Sequence, residues 1–311
     1  MIKIYQKTVR DIRMRTIKQI KVGSWVYVTR PTEEEIKQLV EELKLEEDLI
    51  RDGLDPYEVP RLEVKDEIVY IFTRFPHHNN NEILTSPVLI AIGPDFVVTL
   101  SKENTDFLDK FIQKTKKGVM KDFSTTQKTK LVLLILHEIN SCYTNFLTKI
   151  HKQVKSAQVR LEHITNKNIV QLVGFEGTLN DFLSALQPTN EILQTLLSGK
   201  IIKLYEKDKD ITEDLLLSNG QLIGACKSRL KMMTNIRETY STIMTNDLNR
   251  VIRLLTVITI LFTIPNIISS FYGMNISLPF AESPLAFAGI IITILVVSII
   301  LLLIFHKNKW L

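Results

Sequence analysis

Two stretches towards the end of the chain dominate its hydrophobic pattern: residues 254–281 contain no charged side chain, and neither do residues 283–305. As helices, 254–271 and 285–305 would rise roughly 27 to 31 Å, enough for a hydrocarbon core of about 30 Å. The pattern predicts two membrane spans; the soluble alternative, a pair of buried core helices, seldom needs runs so long. Upstream, the apolar runs 25–28, 68–72, 88–92 and 96–100 read as strands with helical segments between some of them. Thr32 followed by Glu35 forms a capping box that opens one such helix. Gly93-Pro94-Asp95 reads as a hairpin turn and 76–81 as an exposed loop, so this half predicts an α/β domain.

Beyond Phe123 the period becomes helical, with Val132, Leu136, Ile139, Tyr143, Phe146, Ile150, Val154 and Leu161 recurring every three or four residues. A second helical stretch covers 168–197, with a break expected at Pro188 and an end at Ser198-Gly199. A third begins near Ile211 and carries Leu216, Ile223, Leu230, Met233, Ile236, Tyr240 and Ile243 at close to coiled-coil spacing, directly into the first span. One helix over 211–271 would be on the order of 90 Å long. Such a helix cannot bury its stripe alone, so partner helices are implied, from the same chain or from symmetry copies. Gly220 and Gly224 are its weak points, at about 1 kcal/mol each relative to Ala. There is no internal repeat or low-complexity tract.

Composition changes the picture little: 311 residues, 45% hydrophobic and 23% charged, leave room for two domains and a sizeable core. Charge placement says more. Arg250 and Arg253 precede the first span, Lys307 and Lys309 follow the second, and the connecting loop has neither Lys nor Arg, only the acid Glu282. The expectation is a cell-membrane protein, multi-pass, with both termini cytoplasmic and the loop outside. The first thirty residues lack the apolar block and cleavage site of a signal peptide. The net charge of +5, spread among acids, reads as solvated surface and membrane-flanking positives rather than a nucleic-acid interface. Cys142 and Cys226 read as reduced packing residues.

Enzyme motifs are missing. No Gly-rich loop ends in Gly-Lys-Ser/Thr, His137-Glu138 lacks the second histidine of a metalloprotease helix, and His77-His78 has no neighbouring ligand pattern. The chain therefore does not read as an enzyme. The informative pattern lies along the first span, where Asn249, Ile252, Leu255, Thr259, Thr263, Asn266 and Ser270 share one helical face with two amides and three hydroxyls. In lipid that face must point into a bundle or a wet cavity. Interhelical glue and a pore both satisfy the pattern, and the pore needs an oligomer, because two spans cannot enclose a conduit.

Immediately after that face comes Tyr272-Gly273-Met274-Asn275, and here the chain resembles the CorA family of magnesium transporters, whose signature is Gly-Met-Asn. Asn249 with Leu255-Thr256 is similar to the family's motif at the start of the pore helix, and Lys309-Trp310-Leu311 to its basic tail. Trp25, Pro31-Thr32 and the run Asp55-Pro56-Tyr57-Glu58-Val59-Pro60-Arg61-Leu62-Glu63 extend the resemblance over most of the chain.

The resemblance implies a homopentameric funnel in which an N-terminal cytoplasmic α/β/α sandwich is followed by long α-helices and two C-terminal transmembrane helices. The domains are then 1–125 (α/β), 126–210 (long helices), 211–253 (stalk), 254–272 (pore-lining span), 273–284 (outer loop), 285–305 (second span) and 306–311 (basic tail). Its implied function is Mg²⁺ transport through a pore driven by membrane potential and gated by intracellular Mg²⁺, so that Mg²⁺ is both cargo and regulator. Gly273 and Asn275 would ring the outer mouth, Tyr272 and Met274 would shape it, and Asn266, Thr263 and Asn249 would add oxygen rings. Ile252 and Leu255 would form a constriction that closes by dewetting. Asp52 and Asp214 fall where the family has a regulatory acidic pair, although Arg51 stands where many members carry an acid. Co²⁺, Ni²⁺ or Zn²⁺ transport by the same architecture is the nearest alternative, with hard oxygen ligands favouring Mg²⁺. A membrane-anchored sensor or scaffold is the alternative from another class.

Overall fold

The computed structural model describes residues 1–80, 82–119, 123–159, 166–275, 285–308 and 310. Leu161, Glu282, Lys309 and Leu311, singled out above, lie outside them. The chain divides into two compact units, Met1–Asn235 and Ile236–Leu311.

The first unit is built on seven strands: β1 (Ile2–Gln6), β2 (Arg15–Ile17), β3 (Ser24–Thr29), β4 (Arg61–Lys65), β5 (Ile68–Asn79), β6 (Glu82–Ile92) and β7 (Phe96–Ser101). They form one sheet in the order β2-β1-β3-β7-β6-β5-β4, antiparallel at every pairing except the parallel β3–β7. Helices α1 (Glu33–Leu43) and α2 (Glu47–Asp52) lie between β3 and β4, and α3 (Asp106–Lys116), α4 (Lys128–Val159) and α5 (Asn166–Leu197) follow β7.

Because side chains alternate across a strand, β3 serves both faces of the sheet. Val26 and Val28 join Ile36 and Leu39 of α1 and Ile50 of α2 in one apolar core. On the other face Trp25 meets Phe111 of α3 edge-on at 5.9 Å, while its indole N–H donates to Thr99 at 3.0 Å. Tyr27 hydrogen-bonds Thr105 at 2.7 Å and donates to Asp109 at 3.2 Å. Helices on both faces make this the expected α/β/α sandwich.

Two turn devices act as read. The Thr32 hydroxyl accepts from Glu35 N–H while the Glu35 carboxylate accepts from Thr32 N–H, closing the capping box of α1. At the β6–β7 turn Gly93 N–H donates to Phe96 C=O at 3.0 Å, and a Cβ on Gly93 would lie 2.3 Å from the Phe96 ring. Only glycine lets that ring fold over its own turn.

Three expectations are corrected. Residues 76–79 are strand rather than loop: β5 and β6 stay paired out to Asn79 opposite Glu82, with Pro76 opposite Thr85. This arm extends beyond Phe72, where β4 ends its pairing, and beyond Leu89, where β7 does, so Pro76 and Pro87 have no third strand to disappoint. Next, α5 runs unbroken through Pro188. A proline there cannot donate to the Ser184 carbonyl, and Ser184 lies on the exposed side. The neighbouring carbonyls of Ala185 and Leu186 receive the Thr189 hydroxyl at 2.8 Å and the Asn219 amide at 2.9 Å.

Third, on α6 (Glu206–Tyr272), a 67-residue helix that starts earlier than expected, the first half of the stripe is shifted by one position. Leu215, Asn219, Leu222 and Cys226 are buried, whereas Leu216, Ile223 and Leu230 are half-exposed; Met233 and Ile236 are buried as expected. Leu215-Leu216 and Leu222-Ile223 are adjacent apolar pairs, so the pattern offers two stripes about 100° apart, and packing selects one. Gly220 and Gly224 sit within the helix with nothing near the site of a Cβ. Cys142 and Cys226 are free thiols, each pushed up to about 11 first of all by burial.

The second unit holds the end of α6 and α7 (Ala286–Lys307). Both helices are long and apolar enough to cross a membrane.

Candidate functional site

Within the second unit α6 has two unlike faces. Val257, 1% exposed, and the half-exposed Leu261, Ile264 and Ile268 follow one another at intervals of four, three and four residues. Thr259, Thr263, Asn266 and Ser270 follow the same intervals two residues further on, about 200° around the helix, and all four are exposed. The polar face is therefore turned away from the covered one. Asn249, Ile252 and Leu255 continue it on the N-terminal side, also exposed, Leu255 at 63%.

Three threonine hydroxyls in this part of the helix are satisfied within it. Thr256 donates to Ile252 C=O at 2.9 Å, Thr259 to Leu255 C=O at 2.8 Å, and Thr263 to Thr259 C=O at 2.7 Å. With its proton spent on the backbone, each threonine presents oxygen lone pairs outward, an acceptor surface rather than a donor one. Such a surface suits the hydrogens of water around a cation.

The helix ends at Tyr272, and its last turn reaches Gly273, whose N–H donates to Ser269 C=O at 3.0 Å; Met274 N–H donates to Phe271 C=O at 3.3 Å. Gly273 is not in the left-handed region, and a Cβ there would stand at an ordinary 3.4 Å from the Ser269 carbonyl. Among the described residues nothing demands glycine at 273. Tyr272, Gly273, Met274 and Asn275 are all exposed.

Asp52 and Asp214 are not gathered into a metal site. Asp52, the last residue of α2, accepts from Arg61 Nη2 at 2.7 Å, and Arg61 also bonds Glu63 at 2.5 Å and Glu58. Burial opposes the charge on Arg61, but these three carboxylates outweigh it and push its pKa up. The guanidinium also lies 4.0 Å from the centre of the Phe72 ring. Arg51 bridges Glu47 at 2.8 Å and Glu33 at 3.1 Å. Asp214 is exposed on α6. Among the described residues no group of three or more His, Cys, Asp or Glu could hold a metal. The Arg61 cluster escaped the sequence reading; its signal was Arg61 and Glu63, two apart on a strand and so on one face.

A family model described as "CorA-like Mg2+ transporter protein" matches residues 21–307. The chain belongs to this family. The CorA family is one of transporters, and divalent-cation transport across a membrane comes with it. A CorA-named relative from Methanocaldococcus jannaschii, "Cobalt/magnesium transport protein CorA", is 24% identical over 298 residues, covering 92% of this chain and 90% of its own. "Magnesium transport protein CorA" of Campylobacter jejuni is 31% identical over 148 residues, 44% of this chain and 45% of that one. The solved CorA magnesium transporter of Methanocaldococcus jannaschii superimposes with a TM-score of 0.89 at 22% identity, covering 100% of this chain and 98% of that one. The full-length CmaX protein gives 0.78 at 18% identity, with coverage of 99% and 97%.

Proposed function

We propose that several copies of this chain, five by resemblance to CorA, surround an axis with the polar face of α6 turned inward, and that Mg²⁺ passes along that face with much of its hydration water. The observation that carries this reading is the exposed, acceptor-lined face of Thr259, Thr263, Asn266 and Ser270 opposite the covered stripe of the same helix, ending at Gly273-Met274-Asn275. Mg²⁺ dehydrates reluctantly, so carbonyl, amide and hydroxyl oxygens that accept from bound water lower the cost of passage. Gly273, unexplained by its own backbone, leaves room at the mouth for a neighbouring copy or for the hydrated ion. Ile252 and Leu255, exposed on the same face, form the dewetting constriction. With both termini cytoplasmic, a doubly charged ion moving inward across 100 mV gains about 4.6 kcal/mol, so no nucleotide is consumed.

Co²⁺ is a second reading of the same pore, favoured by the cobalt/magnesium name of the Methanocaldococcus jannaschii relative. Proteoliposome flux of Mg²⁺, Co²⁺, Ni²⁺ and Zn²⁺ separates the cargoes. Asn275→Ala is expected to lower Mg²⁺ flux by about tenfold, the loss of roughly one hydrogen bond to a charged group. Unchanged flux would remove Asn275 from the pore.

Regulation by Mg²⁺ between Asp52 and Asp214 of neighbouring copies requires Arg61 to release Asp52, and in the single chain the donor set does not fit a metal. If Mg²⁺ nevertheless joins them, Arg61→Ala raises the Mg²⁺ sensitivity of protease protection in the N-terminal unit. Protection indifferent to Mg²⁺ in both proteins would end the regulatory reading.

A further inference from the structure

A concavity of about 720 Å³ opens on the N-terminal unit where the β1–β2 connection meets the end of α3, lined by residues 10–16 and Lys116. Three arginines, Arg10, Arg13 and Arg15, project from seven consecutive positions, with Lys116 facing them. A Cβ on Gly118 would lie 3.4 Å from Ile12 and 3.6 Å from Arg13, so the turn after α3 is tied against this loop.

The one acid in the lining, Asp11, is already committed. Its Oδ2 accepts from the Thr8 N–H at 3.0 Å and the Thr8 hydroxyl at 2.7 Å, and its Oδ1 lies 3.4 Å from Arg15. Asp11 thus pins the loop and leaves Arg10 and Arg13 without an acidic partner among the described residues. Lys116 Nζ stands 4.9 Å over the Tyr5 ring, held in place without being neutralised. Arg10, Arg13 and Arg15 are exposed. A concave site holding four positive charges and one spent carboxylate calls for an anion of several charges. Planar guanidinium forks pair with phosphoryl and carboxylate oxygens alike, and a phosphate chain is favoured because it carries several negative charges along one short ligand. The volume falls within the range of small-molecule sites and exceeds what a single phosphate needs.

We propose that this arginine-lined concavity binds a polyphosphate chain, either that of a nucleoside triphosphate or inorganic polyphosphate. It lies apart from the conducting face of α6 in sequence and consumes no phosphate bond. The reading is independent of ion transport, because binding is measured without flux.

The test is equilibrium dialysis of the full chain in detergent at low salt with labelled ATP, using tripolyphosphate, orthophosphate and adenosine as competitors. ATP is expected to bind saturably and to be displaced by tripolyphosphate but not by adenosine or orthophosphate. Displacement by less tripolyphosphate than unlabelled ATP assigns the site to inorganic polyphosphate, and the reverse to the nucleotide. The exposed double substitution Arg10→Ala/Arg13→Ala is expected to weaken binding by about tenfold or more, two lost charge-assisted contacts, while Lys37→Ala on the exposed side of α1 leaves it unchanged. Absence of saturable ATP binding, displacement by adenosine alone, or equal affinity in the Arg10/Arg13 variant and the parent chain would overturn the proposal. Mg²⁺ flux of the same variant, expected to match the parent, shows that it has folded.

Discussion

Strand β3 and the membrane part of α6 are both rich in apolar residues, yet they dispose of them in opposite ways. From Ser24 to Val28 every residue of β3 is buried, each face against side chains of the same chain. On α6, Leu255, Phe262 and Ile267 stay exposed, Phe262 at 75%. Polar groups divide likewise. Trp25 and Tyr27 find partners on other elements, whereas Thr259 and Thr263 turn back to their own helix. One region is complete within a single chain. The other leaves its apolar side chains to surroundings outside the chain, and composition alone does not distinguish the two.

The sharpest way to break this comparison is to remove one large side chain from each region. Trp25→Ala is expected to destabilise the N-terminal unit by about 3 to 5 kcal/mol in urea unfolding of the detergent-solubilised chain. Leu255→Ala leaves that transition in place and changes flux instead, because no cavity opens in a core. Equal effects on stability would mean that Leu255 packs inside the subunit. On the polar side, Asn266→Leu keeps the size and removes an amide, and is expected to lower Mg²⁺ flux by about tenfold, with no loss of assembly on native gels. If assembly fails while any assembled fraction conducts normally, the face is glue between helices.

Glycines sharpen the contrast on a smaller scale. Gly93→Ala places a methyl 2.3 Å from the Phe96 ring and is expected to cost about 1 to 3 kcal/mol by forcing the turn apart. Gly220→Ala meets nothing and is expected to stabilise α6 by up to about 1 kcal/mol in the same unfolding experiment. The smallest effect belongs to Cys226, whose thiol is raised by burial from 9.0 to about 11. A raised folded pKa means the folded chain holds the proton more tightly. The contribution is therefore complete below pH 9 and is lost as pH rises towards 11. Cys226→Ala should flatten that alkaline decline, and the parent thiol should label with a disulfide reagent far more slowly folded than unfolded at pH 8.

Both spans, the strands at 25–28 and 96–100 and the Thr32 capping box were legible because each rests on neighbours in sequence. What was misread depended on distant partners. Pro76 looks like a loop residue until β4 is seen to stop at its pairing with Phe72, and Pro188 like a break until the Asn219 amide arrives from α6. Leu216 could not be told from Leu215, since nothing local distinguishes two adjacent leucines. At the candidate site the polar face of α6 was visible as a period. That Arg61 occupies Asp52 was not, because charge alone does not show which acid a guanidinium chooses.

The order of the two regions along the chain bears on how a cell makes the protein. All seven described strands are complete by Ser101, about 150 residues before the first uncharged stretch begins at Leu254. At ordinary synthesis rates of about 5 to 20 residues per second, that spacing gives the sheet roughly 8 to 30 s outside the ribosome before a membrane anchor emerges. The nascent chain thus carries a folded sheet to the insertion machinery before its apolar helices emerge, so those helices meet the membrane with the sheet already out of their way.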